Sequence, residues 1–250
     1  MIDTIYLIVA GVLSGILAGL LGVGGGALIV PVLVLLGRSP HIAIGTSSLA
    51  MVITSISGSF QNWRTGGLDR ARVVPLGIFA VAGAQIGAVV ANMLSARVLE
   101  VSFACLLIAS LYLTYLRRKL AEQTNDSEER GSLFLRCFTG LCGGLLSGLF
   151  GVGGGVIMVP MQMLLLGESL KMSIRVSLAV IIFTALSAAI GHSFHGNVNI
   201  ADALILGLGG LAGAQIGTRF LPKLPEKAIV VLFVTLSLLL AITLLLGLRH

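Results

Sequence analysis

Two copies of a glycine-rich motif are the residues of this sequence best suited to bind a ligand. Gly22-Val-Gly-Gly-Gly26 and Gly151-Val-Gly-Gly-Gly155 each interrupt a long apolar run. Glycine clusters break helices, and a helix that restarts after the break presents backbone N–H groups and the positive end of its dipole, which suit an anion. The candidate anion-binding glycines are Gly24, Gly25, Gly26, Gly153, Gly154 and Gly155. The alternative is that these glycines serve close packing alone.

Hydroxyl residues open the second apolar segment of each half, and one arginine accompanies them. The hydroxyl candidates are Thr46, Ser47, Ser48 and Ser177. Such groups at a helix start hydrogen-bond an oxyanion, or they simply cap the helix. Arg175 stands in the second half at the place that Gly45 takes in the first. If it faces a cavity, it adds a charged donor; if it faces the cytoplasm, it is one of the basic residues common on that side.

Two glutamines and two histidines complete the polar candidates. Gln85 and Gln215 occupy matching places inside apolar segments, where a buried amide needs partners. They either contact the substrate or form interhelical hydrogen bonds between the halves. His192 and His195 end the sixth apolar segment. They are candidates for a proton relay, and the alternative is an interfacial position without a role.

Several kinds of chemistry lack the residues that they require. No Asp or Glu lies well inside an apolar segment, whereas transporters of cations, and many that couple to protons, place carboxylates in the membrane. This favours an anion as substrate. The glycine motif lacks the Lys-Ser/Thr of a phosphate loop, and no HExxH, CxxC or nucleophile-elbow motif occurs. We therefore expect no catalytic residues, no metal and no cofactor.

Membrane-spanning helices must position these residues. Of the 250 residues, 56% are hydrophobic and only 10% are charged, against roughly 25% charged in soluble domains. Because so little charge cannot cover a water-facing surface, the sequence predicts an all-α integral membrane protein in a lipid bilayer. We attribute the net charge of +6 to basic cytoplasmic loops and not to nucleic-acid binding, since no basic stretch with interleaved aromatic residues occurs.

The chain divides into two related halves. Residues 19–31 return in similar form at 148–160, and residues 82–87 return unchanged at 212–217. This is the pattern of an internal duplication. The predicted organisation is a first transmembrane repeat at 1–116, a polar cytoplasmic linker at 117–136 and a second transmembrane repeat at 137–250.

Each repeat contains about four apolar segments, of which the first is too long for one span. Residues 4–37 carry no Asp, Glu, Lys or Arg, and as one helix they would measure about 51 Å against a hydrocarbon core of about 30 Å. Residues 137–167 form the corresponding segment. Because a glycine cluster interrupts both, the first segment of each repeat is predicted to be a broken helix or a helical hairpin.

The positive charges predict how the repeats lie in the membrane. If both long segments enter and leave on one side, thirteen of the sixteen Lys and Arg residues share one side of the membrane. If every segment crosses once, the sixteen divide nine and seven. The positive-inside rule favours the first arrangement. The repeats are then inverted, as in many secondary transporters, with both termini outside and the linker 117–136 in the cytoplasm.

The glycine motif with its downstream Val-Pro, its second copy, and Gly45-Thr46-Ser47 at the next helix resemble the TauE/SafE family. The resemblance covers essentially the whole chain. It implies a permease of two related halves in a bacterial inner membrane, which exports sulfite, sulfoacetate or a related sulfur-containing anion or organic acid. The second half departs from the family pattern at Ile174-Arg175-Val176-Ser177. The site is therefore predicted to be asymmetric.

Together these observations predict a secondary transporter for a small anion. The expected substrate is a sulfur-containing oxyanion or organosulfonate such as sulfite, and H⁺ or Na⁺ is the candidate coupling ion. Alternating access would come from one bundle rocking against the other. A passive anion channel and a non-transporting accessory membrane subunit are the alternatives, and the sequence indicates no particular oligomeric state.

Overall fold

Helices account for almost all of the described residues. The structure, a computed structural model, describes the backbone of residues 2–121 and 132–247 and the side chains of residues 4–113 and 132–239. The first half contains α1 (Ile2–Leu21), α2 (Gly26–Leu35), α3 (Pro40–Arg64), α4 (Arg70–Met93) and α5 (Ala96–Ala121). The second half contains α6 (Leu133–Phe150), α7 (Gly155–Leu165), α8 (Leu170–Ser193), α9 (Ile200–Phe220) and α10 (Glu226–Gly247). A short 3₁₀ turn, Leu221–Lys223, follows α9.

These helices confirm the all-α membrane protein. Within the described residues, seven helices are long and apolar enough to cross a membrane, and α2 and α7 are shorter apolar helices. The helices extend into both ends of the predicted linker 117–136, since α5 continues to Ala121 and α6 begins at Leu133. Residues 122–131 of that linker lie outside the described part of the chain.

The helix starts show why the two halves adopt the same local structure. Ser39 caps α3 and Ser169 caps α8, each through its hydroxyl and the backbone N–H three residues later. Asp69 caps α4 by accepting from the N–H two residues later, and Asn199 caps α9 by accepting from the N–H three residues later, each with a side-chain oxygen. Such side chains satisfy the unpaired donors of a first helical turn. The caps stand at corresponding positions of the two repeats, so the duplicated sequence sets the same helix boundaries twice.

The glycine motifs turn the chain back on the preceding helix. A Cβ on Gly25 would lie 2.8 Å from the carbonyl oxygen of Ser14, eleven residues earlier in the chain. A Cβ on Gly154 would likewise meet the backbone of Gly143. Both glycines have the positive φ that other residues rarely adopt, +85° and +70°. In a continuous helix, residues eleven positions apart could not touch each other. The chain therefore folds back at each glycine motif, and α1–α2 and α6–α7 are helical hairpins.

Close backbone contacts at glycines join a helix of each half to a helix of the other half. Three glycines of α1 pack on the α9 backbone, and three glycines of α6 pack on the α4 backbone at the matching positions. The six glycines are Gly11, Gly15, Gly19, Gly140, Gly144 and Gly148. Small residues allow this close approach, which drives helix association in lipid. The first helix of each half is thus held by the fourth helix of the other half, which brings both hairpins to the centre.

Candidate anion site

The two glycine turns meet each other at the centre of the molecule. A Cβ on Gly26 would lie 2.8 Å from the Cα of Val152, and a Cβ on Gly155 would lie 2.8 Å from the Cα of Val23. Each of these glycines also lies directly against a carbonyl oxygen of the opposite turn, that of Gly151 or Gly22. We call this pair of touching turns the glycine centre.

Helices α3 and α8 enclose the glycine centre. A Cβ on Gly24 would lie 3.0 Å from both Met51 Sδ and Ile181 Cγ2, and one on Gly153 would lie 3.1 Å and 3.0 Å from the same two atoms. Met51 and Ile181 are fully buried and occupy corresponding positions of the two repeats. The centre therefore has one wall from each half of the chain.

Unpaired backbone donors are the main polar feature of the glycine centre. The carbonyl oxygens of Gly25 and Gly154 accept the first helical hydrogen bonds of α2 and α7. Among the described residues, no acceptor receives a hydrogen bond from the N–H groups of 24–27 or 153–156. All eight residues are buried, whereas buried N–H groups in proteins nearly always have a partner. Two helix N-termini with free donors at the same point are suited to an oxyanion.

Two of the predicted hydroxyl residues bind the glycine turns themselves. Ser47 Oγ donates a hydrogen bond of 2.8 Å to the carbonyl oxygen of Gly151, and Ser177 Oγ donates one of 3.0 Å to that of Gly22. Each serine therefore holds the glycine turn of the other half. The structure places both beside the centre, where they fix the backbone that presents the free N–H groups.

The other two hydroxyl residues have different partners. Thr46 Oγ1 accepts a hydrogen bond of 3.0 Å from the backbone N–H of Asn199, at the start of α9. Ser48 Oγ donates to the carbonyl oxygen of Ile44 in its own helix, at 2.9 Å. Both residues are fully buried; the hydrogen bond of Thr46 joins α3 to the start of α9, and that of Ser48 stays within α3.

The glutamines connect helices from different halves. Gln85 Nε2 on α4 donates a hydrogen bond of 2.8 Å to the carbonyl oxygen of Ser187 on α8. Gln215 Nε2 on α9 donates one of 2.9 Å to the carbonyl oxygen of Ser57 on α3. Both glutamines thus form the interhelical hydrogen bonds that were one of the two interpretations of the sequence. Contact of either glutamine with a substrate stays a prediction.

Arg175 lies at the far end of α3 and not beside the glycine turns. A Cβ on Gly67 would lie 3.0 Å from Arg175 Nε, so the guanidinium covers the turn that follows α3. At the matching place in the other half, Gly45 lies against the backbone of Asn197. Each contact therefore pairs one glycine with one larger residue. Gly45 lies against Asn197 in one contact, and Gly67 lies against Arg175 in the other.

The two histidines bond to different carbonyl groups. His192 is fully buried, and its Nε2 lies 2.8 Å from the carbonyl oxygen of Gly148 on α6. His195 is exposed, and its Nδ1 lies 3.1 Å from the carbonyl oxygen of Gly191 in the preceding turn. A role of this pair in proton transfer stays a prediction. Across the described residues, no cluster of three or more His, Cys, Asp or Glu is arranged to hold a metal ion.

Sequence reasoning missed a buried carboxylate, Glu168, which directly follows the apolar segment 137–167. Its side chain is fully buried, with Oε1 2.9 Å from Arg136 Nη1 and 3.3 Å from Arg72 Nη1. Arg72 also donates a hydrogen bond of 2.7 Å to Asp69, which holds the pKa of that carboxyl below its usual value. Two guanidinium groups supply the compensation that a buried charge needs.

A second ion pair reproduces this arrangement with the charges exchanged. Arg38 Nε donates a hydrogen bond of 2.9 Å to Asp202 Oδ2. In the register of the two repeats, Arg38 matches Glu168 and Asp202 matches Arg72. A comparison of the two repeats in the sequence shows the exchanged charges at these corresponding positions, which is the signal that could have drawn attention to Glu168.

Comparisons with known proteins agree with this architecture. The profile of the family described as sulfite exporter TauE/SafE matches residues 7–244. The chain is 30% identical to the probable membrane transporter protein YdhB of Bacillus subtilis, over 86% of this chain and 89% of that protein. It is 28% identical to YunE of the same organism, over 91% and 92%, and 27% identical to MJ0441 of Methanocaldococcus jannaschii, over 88% and 87%; both carry the same description. No solved structure matches the chain significantly.

The hydrogen bond of Ser47 predicts a stability difference between two adjacent serines. Ser47→Ala is expected to lower the free energy of unfolding by about 1–3 kcal/mol, because the buried carbonyl of Gly151 loses its donor. Ser48→Ala is the matched control, since Ser48 is equally buried but bonds a carbonyl that keeps its helical N–H partner. Thermal unfolding in detergent measures both variants. Equal losses would contradict the role assigned to Ser47.

Proposed function

This chain belongs to the sulfite exporter TauE/SafE family of membrane transporters, and from that premise we propose that it is a secondary transporter for a small anion. The proposed substrate is a sulfur-containing oxyanion or organosulfonate such as sulfite, bound at the glycine centre. The observation that carries the proposal is the set of buried, unpaired backbone N–H groups at the starts of α2 and α7.

The chemistry of the glycine centre supports an anion over a cation or a neutral solute. A half-helix N-terminus carries a partial positive charge of about half an elementary charge, and two such termini meet here. In a membrane, backbone outside a regular helix is tolerated where it is buried in protein or lines a cavity. Gly24, Gly25 and Gly26, with Gly153, Gly154 and Gly155, would cradle the anion, while Ser47 and Ser177 position their turns.

We further propose that the two halves are inverted repeats that alternate access around this site. The supporting observation is the antiparallel course of α3 and α8. Gly45, near the start of α3, lies against Asn197, which follows the end of α8. Arg175, near the start of α8, lies against Gly67, which follows the end of α3. Rocking of one half against the other around a fixed central site is the usual transport cycle of such folds.

The proposed orientation places the loop 65–69 and the start of α8 in the cytoplasm. Thirteen of the sixteen Lys and Arg residues lie in the segments assigned to that side, as the positive-inside rule requires. The proposed location is the plasma membrane, which is the inner membrane in a bacterium with two membranes. The substrate would pass between the cytoplasm and the space outside this membrane, with H⁺ or Na⁺ as the proposed coupling ion.

A single proline tests the backbone donors by removing one N–H group at a position where a helix tolerates proline. Ala27→Pro removes one unpaired N–H at the second position of α2, where a first helical turn tolerates proline. One hydrogen bond to a charged ligand contributes about 1.5–3 kcal/mol, so the sulfite dissociation constant is expected to rise about 10–100-fold. Equilibrium binding of sulfite to the purified protein measures this change. Val156→Pro tests the matching donor of α7.

Ala201→Pro is the matched control for this experiment. It makes the same substitution at the second position of α9, on an exposed residue far along the chain from the glycine turns. We expect the control to bind sulfite as the wild type does. If all three proline variants bind sulfite with unchanged affinity, the backbone donors of the centre do not hold the anion.

Reporter fusions test the proposed orientation. A periplasm-active reporter fused after residue 250 is expected to be active, and the same reporter inserted in the linker 117–136 is expected to be inactive, because the linker carries a concentration of basic residues. The opposite pattern would place the basic loops outside and overturn the assignment.

A further inference from the structure

The polar side chains of α3 fall into two sets with different hydrogen bonding. Thr54 and Ser57 donate to carbonyl oxygens at 3.1 Å and 2.8 Å. Ser55 Oγ, Ser59 Oγ and Asn62 Nδ2 have no hydrogen-bond partner among the described residues. These three residues are nevertheless 0%, 6% and 2% exposed. Buried polar groups normally have partners, so three unpaired groups on one helix need an explanation.

The unpaired side chains share one face of α3. Ser55, Ser59 and Asn62 follow at spacings of four and three residues, which places them one above another along a helix. Met51 precedes Ser55 by four residues on the same face, and it contacts Gly24 and Gly153. The row of donors therefore begins one helical turn from the glycine centre and continues to the end of α3.

Arg175 lies where this row ends. Its Nε is buried and has no hydrogen-bond partner in the described part of the chain, and its guanidinium covers Gly67. The backbone N–H of Gly67 in turn donates a hydrogen bond of 2.9 Å to the carbonyl oxygen of Asn62. The last residue of the row and Arg175 thus both contact Gly67.

The second half of the chain does not repeat this row. The residues of α8 that match Ser55, Ser59 and Asn62 are Ala185, Ala189 and His192. Two of them have no polar side chain. His192 Nε2 lies within hydrogen-bonding distance of the carbonyl oxygen of Gly148, while its Nδ1, like Asn62 Nδ2, is buried without a partner among the described residues. Because the fold of α8 is maintained with alanines at the places of Ser55 and Ser59, helix packing alone does not require these two serines.

An apolar cavity borders the row at Ser59. It measures about 450 Å³ and lies between α3, α4 and α8. Ser59 and Arg70 are polar residues of its lining, and Val73, Ala179 and Phe183 are among its apolar ones.

We propose that Ser55, Ser59, Asn62 and Arg175 form an anion-binding path, which we call the donor path, between the glycine centre and the loop 65–69. Hydroxyl, amide and guanidinium groups all donate hydrogen bonds, so the ligand class is a small oxyanion with several acceptor oxygens. The donor path rests on the proposed transport function, and it adds a one-sided approach to the central site.

Alanine variants in proteoliposomes test the donor path with sulfite as the probe. Ser55→Ala and Ser59→Ala are each expected to raise the KM for sulfite uptake about tenfold, because each removes one hydrogen bond to a charged ligand. Arg175→Gln, which removes the cation, is expected to raise the KM further. The unfolding temperature without sulfite is expected to stay level or rise in the two alanine variants, because each removes a buried hydroxyl that has no partner.

Thr54→Ala is the matched control on the same helix. Thr54 is fully buried and donates to the carbonyl oxygen of Ala50 in its own helix, so the control is expected to lower the unfolding temperature and to keep the KM for sulfite. Unchanged KM values in Ser55→Ala, Ser59→Ala and Arg175→Gln would overturn the donor path while leaving the proposed transport intact. Lower unfolding temperatures in the two alanine variants would also overturn it, since they would indicate a packing role. A wild-type protein that neither binds nor transports any oxyanion would overturn the proposed function and the donor path together.

Discussion

The close contact between the two glycine turns is the constraint on which the rest of the structure depends. Gly26 and Gly155 each meet backbone atoms of the opposite turn at a distance that leaves no space for a Cβ. The contact forces α2 and α7 to begin at the centre of the molecule, and it leaves their first N–H groups buried without acceptors among the described residues. The proposed anion site is therefore a direct consequence of how the two halves pack.

Much of this centre follows from the sequence, because its signals are local. The glycine motif, its second copy and the excessive length of the segments 4–37 and 137–167 predict two broken segments, and the structure shows two helical hairpins. The donors of α3 could not be predicted in the same way. Whether Ser55 or Ser57 is paired depends on which face of α3 contacts another helix, and periodicity in an all-apolar segment does not distinguish these faces. Glu168 was missed because it borders an apolar segment, where a charge is ordinarily solvated.

The two halves keep the same backbone and differ in charge. Arg38 and Asp202 form an ion pair, and the matching residues Glu168 and Arg72 form one with the signs exchanged. The charge that changes sign lies in the segment before α3 or α8, and it is balanced by a change on the helix of the other half that it contacts, α9 or α4. The same scaffold therefore accommodates either sign of charge at these positions, provided that both partners change together.

Backbone amide shifts of glycine measure the central claim most directly. In protein labelled with ¹⁵N-glycine, titration with sulfite is expected to shift the amide signals of Gly24, Gly25, Gly26, Gly153, Gly154 and Gly155, because their N–H groups bind the anion. The signals of Gly37 and Gly196, which share the positive φ of Gly24, Gly25, Gly153 and Gly154 but have open space around them, are expected to stay unchanged. Saturating sulfite that shifts none of the six central signals would contradict an anion site at the glycine centre.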